Sequence, residues 1–153
     1  MISAFDPDSF LNEAVEGAMS TVAEPIPEGE YLAVVGSLEK SVAVRQTSKG
    51  QTILDITWEL QDAALAEALD RQTVTVRQSI FLDMTTNNTL DRGKGKNLGL
   101  GRVRAALGQN DPNKPWSFGM LKGAGPAMIK VTQRPNAEDD TVIYNDVKGV
   151  TAA

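Results

Sequence analysis

Apolar and polar residues alternate with a period of two over several stretches of the chain, and this alternation predicts strands. Leu32, Val34 and Leu38 alternate with Tyr31, Ala33, Val35 and Ser37. The chain stays extended through Val42, Ala43 and Val44 to a polar turn at residues 46–50. In a second strand Leu54, Ile56, Trp58 and Leu60 share one face, and the face with Trp58 is expected to be buried. A third strand covers residues 72–82. Val74, Val76, Ile80 and Leu82 point inward; Thr73, Thr75, Arg77, Ser79 and Phe81 point outward. A fourth strand spans residues 127–134 and a fifth 141–148, joined by a hairpin loop at 135–140.

Three segments read as helices instead. Asp62 caps a short helix over residues 62–69, which are rich in Ala and Leu. Asn97 is placed to cap a second, in which Leu100, Val103 and Leu107 fall at i, i+3 and i+7 and Gly108 suits the left-handed end. Asp8 is placed to cap a third, over residues 9–15, with Gly17 ending it. Pro25 and Pro27 force an extended path after it. The chain therefore divides into an arm, residues 1–28, and a domain, residues 29–153. A Gly- and Asn-rich loop covers 83–96.

The resulting fold class is mainly β with minor α. Five strands with the principal helix between the third and fourth is the layout of the OB-fold, a small Greek-key barrel, here preceded by an N-terminal arm. Other small barrels and sandwiches share this strand count.

What the composition lacks narrows the chemistry. The chain of 153 residues has no Cys and no His. Disulfides, thiolate zinc sites, Cys nucleophiles and Ser-His-Asp triads are excluded, and so are the commonest general base and metal ligand. Its acids are too scattered for a two-metal site, so no enzymatic activity and no cofactor are expected. There is no apolar run of membrane-spanning length and no leader pattern at the first residues, which gives the expectation of a cytoplasmic protein with no membrane partner.

Charge is distributed unevenly. Residues 1–39 hold eight acids and no Lys or Arg, while the rest of the chain carries a net charge of +3. Arg92, Lys94, Lys96, Arg102 and Arg104 lie within thirteen residues that contain no acid. An acidic arm on a basic body suits an anionic ligand and an internal competitor for it; chance scatter of surface charge is the competing reading.

Candidate ligand contacts follow from these two patterns. Glycines at 93, 95, 99 and 101 uncover backbone amides near a helix start, where anions are attracted, and Lys94, Lys96 and Arg102 add mobile cations. The stretch lacks a Gly-Lys-Ser/Thr ending, so it is not a nucleotide loop of the Walker kind; a solvated flexible loop is the alternative. Arg77 and Phe81 point the same way from the third strand, an arrangement suited to a phosphate and an unstacked base. Phe81 packing beneath the 83–96 loop is the alternative there. Lys130 and Arg134 share a face of the fourth strand, and Arg45 and Lys49 belong to the first hairpin. The acids Glu138, Asp139 and Asp140 read as a solvated turn rather than a metal site. Trp116 is read as a cap on the barrel, with stacking on a ligand as the alternative.

Several stretches are similar to a known family. Phe5-Asp6-Pro7, Pro27-Glu28-Gly29-Glu30-Tyr31, residues 101–108 (Gly-Arg-Val-Arg-Ala-Ala-Leu-Gly) and Ile143-Tyr144-Asn145-Asp146-Val147-Lys148-Gly149 resemble small phage proteins of the single-stranded-DNA-binding-like kind. The resemblance implies an OB-fold, location in the host cytoplasm, and non-enzymatic binding of single-stranded DNA in phage replication or recombination. Phage replication or recombination proteins are the implied partners, and self-association is left open. The chain departs from the usual pattern in carrying its acidic segment at the N-terminus and a helix between the second and third strands. A virion or assembly protein that uses its barrel for protein contacts is the alternative function. On the first reading the candidate nucleic-acid contacts are Arg45, Lys49, Arg77, Phe81, Arg92, Lys94, Lys96, Arg102, Lys130 and Arg134.

Overall fold

Residues Thr52–Leu60 form the strand around which the protein is organised, here labelled β3. Its β-branched and aromatic residues suit a pleated surface covered on both sides. The computed structural model describes residues 4–19 and 22–153. Among them are six strands and three short helices: α1 (Pro7–Leu11), β1 (Gly29–Val35), β2 (Val42–Gln46), β3, α2 (Ala63–Ala68), β4 (Thr75–Leu82), α3 (Leu98–Ala106), β5 (Ala127–Pro135) and β6 (Ile143–Ala152). All strand pairings are antiparallel.

One edge of β3 pairs with β4 along nearly its whole length. The opposite edge is shared: β2 pairs with residues 52–56 and β1 with residues 58–60. β1 then crosses to β5, and β5 pairs with β6. The single extended segment expected from Tyr31 to Val44 is thus two strands, which is why there are six rather than five. The break is local. Gly36 donates its N–H to the Thr57 carbonyl, a 3-10 turn follows at Glu39–Ser41, and the buried Ser41 side chain occupies the space a side chain at Gly36 would need.

The sheet is not closed into a barrel by hydrogen bonds, which corrects that part of the sequence expectation. Two of its edge strands, β4 and β6, come within 8 Å of each other without backbone pairing. Side chains of Arg77, Gln78 and Ser79 from one strand and residues 144–148 from the other line the seam instead.

The core lies on the inner face of this curved sheet. Leu54, Ile56 and Trp58 of β3, Ile129 and Val131 of β5, and Val103 of α3 are all fully buried. The Trp58 indole N–H donates to Gln78 Oε1 at 2.9 Å, so the largest core side chain leaves no polar atom unpaired. Leu100 and Val103 bring α3 onto β4 and β6. Ile26 is buried beyond the start of β1; its N–H donates to Asn145 Oδ1, and its carbonyl accepts from Asn145 and Gln133.

Two helix starts differ from expectation. α1 is capped by Asp6, which accepts from the Asp8 N–H and the Ser9 hydroxyl, and the helix ends at Leu11. Pro7 explains the shift: its fixed φ and missing N–H suit the first helical position, which moves the cap one residue earlier. Asn97 stands at the start of α3 but makes no capping bond, because its φ is +53° and its side chain turns back. It accepts from the Asp83 N–H and donates to the carbonyls of Asp83 and Asp91, tying both ends of the 83–97 loop together. Asp62 caps α2 as expected, accepting from the Leu65 N–H, and Gly108 takes the left-handed conformation after α3.

Candidate nucleic-acid interface

Strand register sets the outer face of β2, β3 and β4 in rows. Arg45, Ile53 and Phe81 form one row; Ala43, Asp55 and Ser79 the next; Thr57 and Arg77 another. Phe81 is 62% exposed, whereas Ile53, its neighbour on β3, is buried. The 83–96 loop does not cover Phe81, so packing beneath that loop is set aside. An exposed ring fixed on a strand, with guanidinium groups on the same face, offers a stacking plane and phosphate partners together.

The middle row carries a charge network. Asp55 is nearly buried and accepts from Arg45 Nε at 2.7 Å and from Ser79 Oγ at 2.6 Å. Burial alone would push its carboxyl up. The bonds from Arg45 and Ser79, with the charges of Arg45 and Arg77, outweigh that and hold it below its ordinary value. Arg45 is therefore half committed to the protein. Arg77 has no carboxylate within ion-pair distance among the described residues.

The seam between β4 and β6 continues this face. It is a cleft of about 540 Å³ lined by Arg77, Arg134, Tyr144, Asp146 and Lys148, among others. Arg134 Nε donates to Asp146 Oδ2 at 2.9 Å, and its guanidinium lies 5.1 Å from the centre of the Tyr144 ring. Tyr144 is itself held by the Asn136 side chain, which donates to its hydroxyl. Three cations and an exposed aromatic thus face one cleft, with one acid among them.

The remaining nominated cations scatter. Lys49 is exposed in the turn between β2 and β3, next to the same face. Lys130 is exposed on β5, opposite Glu30 of β1. Arg102 faces Val150, Thr151 and Ala152 at the far end of β6. Lys94 is exposed in the loop. Arg92 and Lys96 line a separate groove beside α3 with Arg104 and Asn110.

That groove opens into a cleft of about 700 Å³ in which Arg92 and Arg104 are joined by Lys114, Trp116 and Phe118. Arg104 stacks 4.3 Å from the Trp116 ring centre, Phe118 meets Trp116 edge-on, and the indole N–H donates to Gln109 Oε1. Trp116 packs on the core from its rim and lines the cleft at the same time. Sequence reasoning missed Arg104, Lys114 and Phe118 here and Tyr144 and Lys148 at the seam. A signal was present in Arg104 and Trp116, but their pairing spans a loop whose course no periodicity gives.

Among the described residues no group of three or more acids could hold a metal ion, and no helix is long and apolar enough to cross a membrane. No protein-family model matches the chain, and no curated protein sequence is significantly similar to it.

Proposed function

We propose that the protein binds single-stranded DNA without catalysis, through the outer face of β3 and β4 and the adjoining seam with β6. The observation that carries this reading is Phe81: a large ring, mostly exposed, on the strand that also carries Arg77 and in one row with Arg45 across Ile53. Bases stack on such a ring whatever their identity, while cations track the phosphates, so little sequence preference is expected.

The strand order supports an OB-like reading. If β1 and β2 are counted as one strand bent at Gly36–Ser41, the pairings follow the Greek-key order of that barrel except for the unpaired seam. In such barrels the face of the second and third strands holds the ligand, flanked by the first and last hairpin loops. Those strands are β3 and β4 here, and the flanking loops carry Lys49 on one side and Glu138, Asp139 and Asp140 on the other. A role in phage replication or recombination, in the host cytoplasm, is the setting that the sequence resemblance adds.

Ultraviolet cross-linking of a dT oligomer, followed by peptide mapping, tests the site. Cross-links within residues 77–81 and 144–148 support it. Cross-links confined to residues 92–118 would move the DNA path to the other cleft and overturn this assignment.

A further inference from the structure

In the single chain, residues 4–19 of the arm and the cleft beside α3 both leave apolar side chains open to solvent. Among residues 4–19, Phe5, Phe10, Leu11, Val15 and Met19 are each at least 60% exposed, and no residue of α1 is buried. Phe5 and Phe10 touch only as a small exposed pair, their ring centres 5.3 Å apart. The same stretch carries Asp6, Asp8, Glu13 and Glu16 and no cation. A five-residue helix with nothing beneath it has little stability of its own. Five large exposed apolar side chains in sixteen residues are the kind of surface that marks an interaction site.

The cleft has the opposite properties. Arg92, Arg104 and Lys114 line it against one acid, Asp111, and its apolar lining includes Leu90, Trp116 and Phe118. Apolar side chains flanked by carboxylates are complementary to an apolar cleft flanked by cations.

We propose that this cleft is the docking site for the acidic arm of a second copy of the chain. The arm leaves the body at a fixed point, because Ile26 is buried, held by Asn145 and Gln133, and bracketed by Pro25 and Pro27. Every copy carries both the exposed apolar side chains of residues 4–19 and an open cleft, so reciprocal exchange covers both surfaces at once and closes into a two-fold dimer. The arm enters by its exposed apolar residues, with Phe10 and Leu11 against Trp116 and Phe118 and the carboxylates facing Arg92 and Lys114. This inference does not depend on the DNA-binding reading, which concerns residues of β3, β4 and the seam that do not line this cleft.

Sedimentation velocity on the full chain tests it, using two double variants at exposed positions. One is Phe10→Ser with Leu11→Ser; the other is Arg92→Glu with Lys114→Glu. Circular dichroism checks that each keeps the wild-type fold. The wild-type chain is expected at twice 16.4 kDa at high concentration, dissociating as salt rises. Each double variant is expected at the single-chain mass. An equimolar mixture of the two variants regains a doubled-mass species, because one intact arm then meets one intact cleft. A wild-type chain that stays at single-chain mass overturns the proposal, whether or not its arm folds back. So does a dimer that survives either double variant, or a mixture that stays monomeric.

Discussion

Arg45 Nε donates to Asp55 Oδ2 at 2.7 Å across the β2–β3 pair, so a cation on the candidate DNA face is already shared with a carboxylate of the same chain. The pair does two things. It keeps a nearly buried carboxylate charged, and it draws the Arg45 guanidinium back toward the sheet. Arg77, two rows along, has no such partner among the described residues and is the freer cation.

Replacing Asp55 separates these effects. Asp55→Asn keeps an acceptor for Ser79 but loses the charge that holds Arg45. It should cost about 1–2 kcal/mol of stability, as expected for loss of a charge-assisted hydrogen bond with one half-exposed partner. It should also tighten binding to oligo-dT and steepen the salt dependence by up to about 0.7 in log-log slope, the share of one added phosphate contact. Thermal melts and anisotropy titrations on the same preparation read both.

The same carboxyl sets a pH dependence. Its folded pKa lies below the unfolded value, so its contribution is fully present well above about pH 4 and is lost as pH falls through the unfolded and then the folded value. Melting temperature measured from pH 6 down to pH 2 should fall more steeply in the wild-type chain than in Asp55→Asn. Parallel curves would show that this network does not carry the acid sensitivity.

Phe81→Ala tests the stacking platform. The ring is mostly exposed, so stability should change by no more than about 0.5 kcal/mol. Binding of oligo-dT should weaken by roughly 1–3 kcal/mol, with the salt slope unchanged because no charge is removed. A variant that melts early yet binds normally would make Phe81 a packing residue.

Gly36→Ala tests the bend that splits the first extended segment. A Cβ at this position falls on the Ser41 hydroxyl, which is itself buried. The substitution should destabilise the fold by about 1–3 kcal/mol, the range for forcing extra volume into a packed site. Gly36→Ala combined with Ser41→Gly should recover part of that loss in urea unfolding.

Period-two alternation made the strands of the sheet legible, and the inward and outward sets of β4 follow it residue by residue. The alternation of β3 identifies its inner face but hides that Ile53 and Asp55 on the other face are also covered, because Asp55 reads as a solvent-facing acid until its partners are known. The break at Gly36 left little trace, since Leu38, Val42 and Val44 look like a continued strand; what interrupts it is a contact with Ser41. Unpaired edges between β4 and β6 are a property of distant segments, invisible to local periodicity. For the site, Arg77 and Phe81 were legible because they share one strand. Tyr144 and Lys148 join them only through the approach of β6, and Arg104 meets Trp116 only through the loop between them.

Fluorescence anisotropy of labelled dT and duplex oligomers of equal length, titrated with the full chain across a salt series, tests the central claim most directly. The expected result is preferential binding of the single strand, with affinity falling as salt rises at a log-log slope of about −0.7 per neutralised phosphate. Equal or tighter binding of the duplex, or single-strand binding that does not respond to salt, would contradict it.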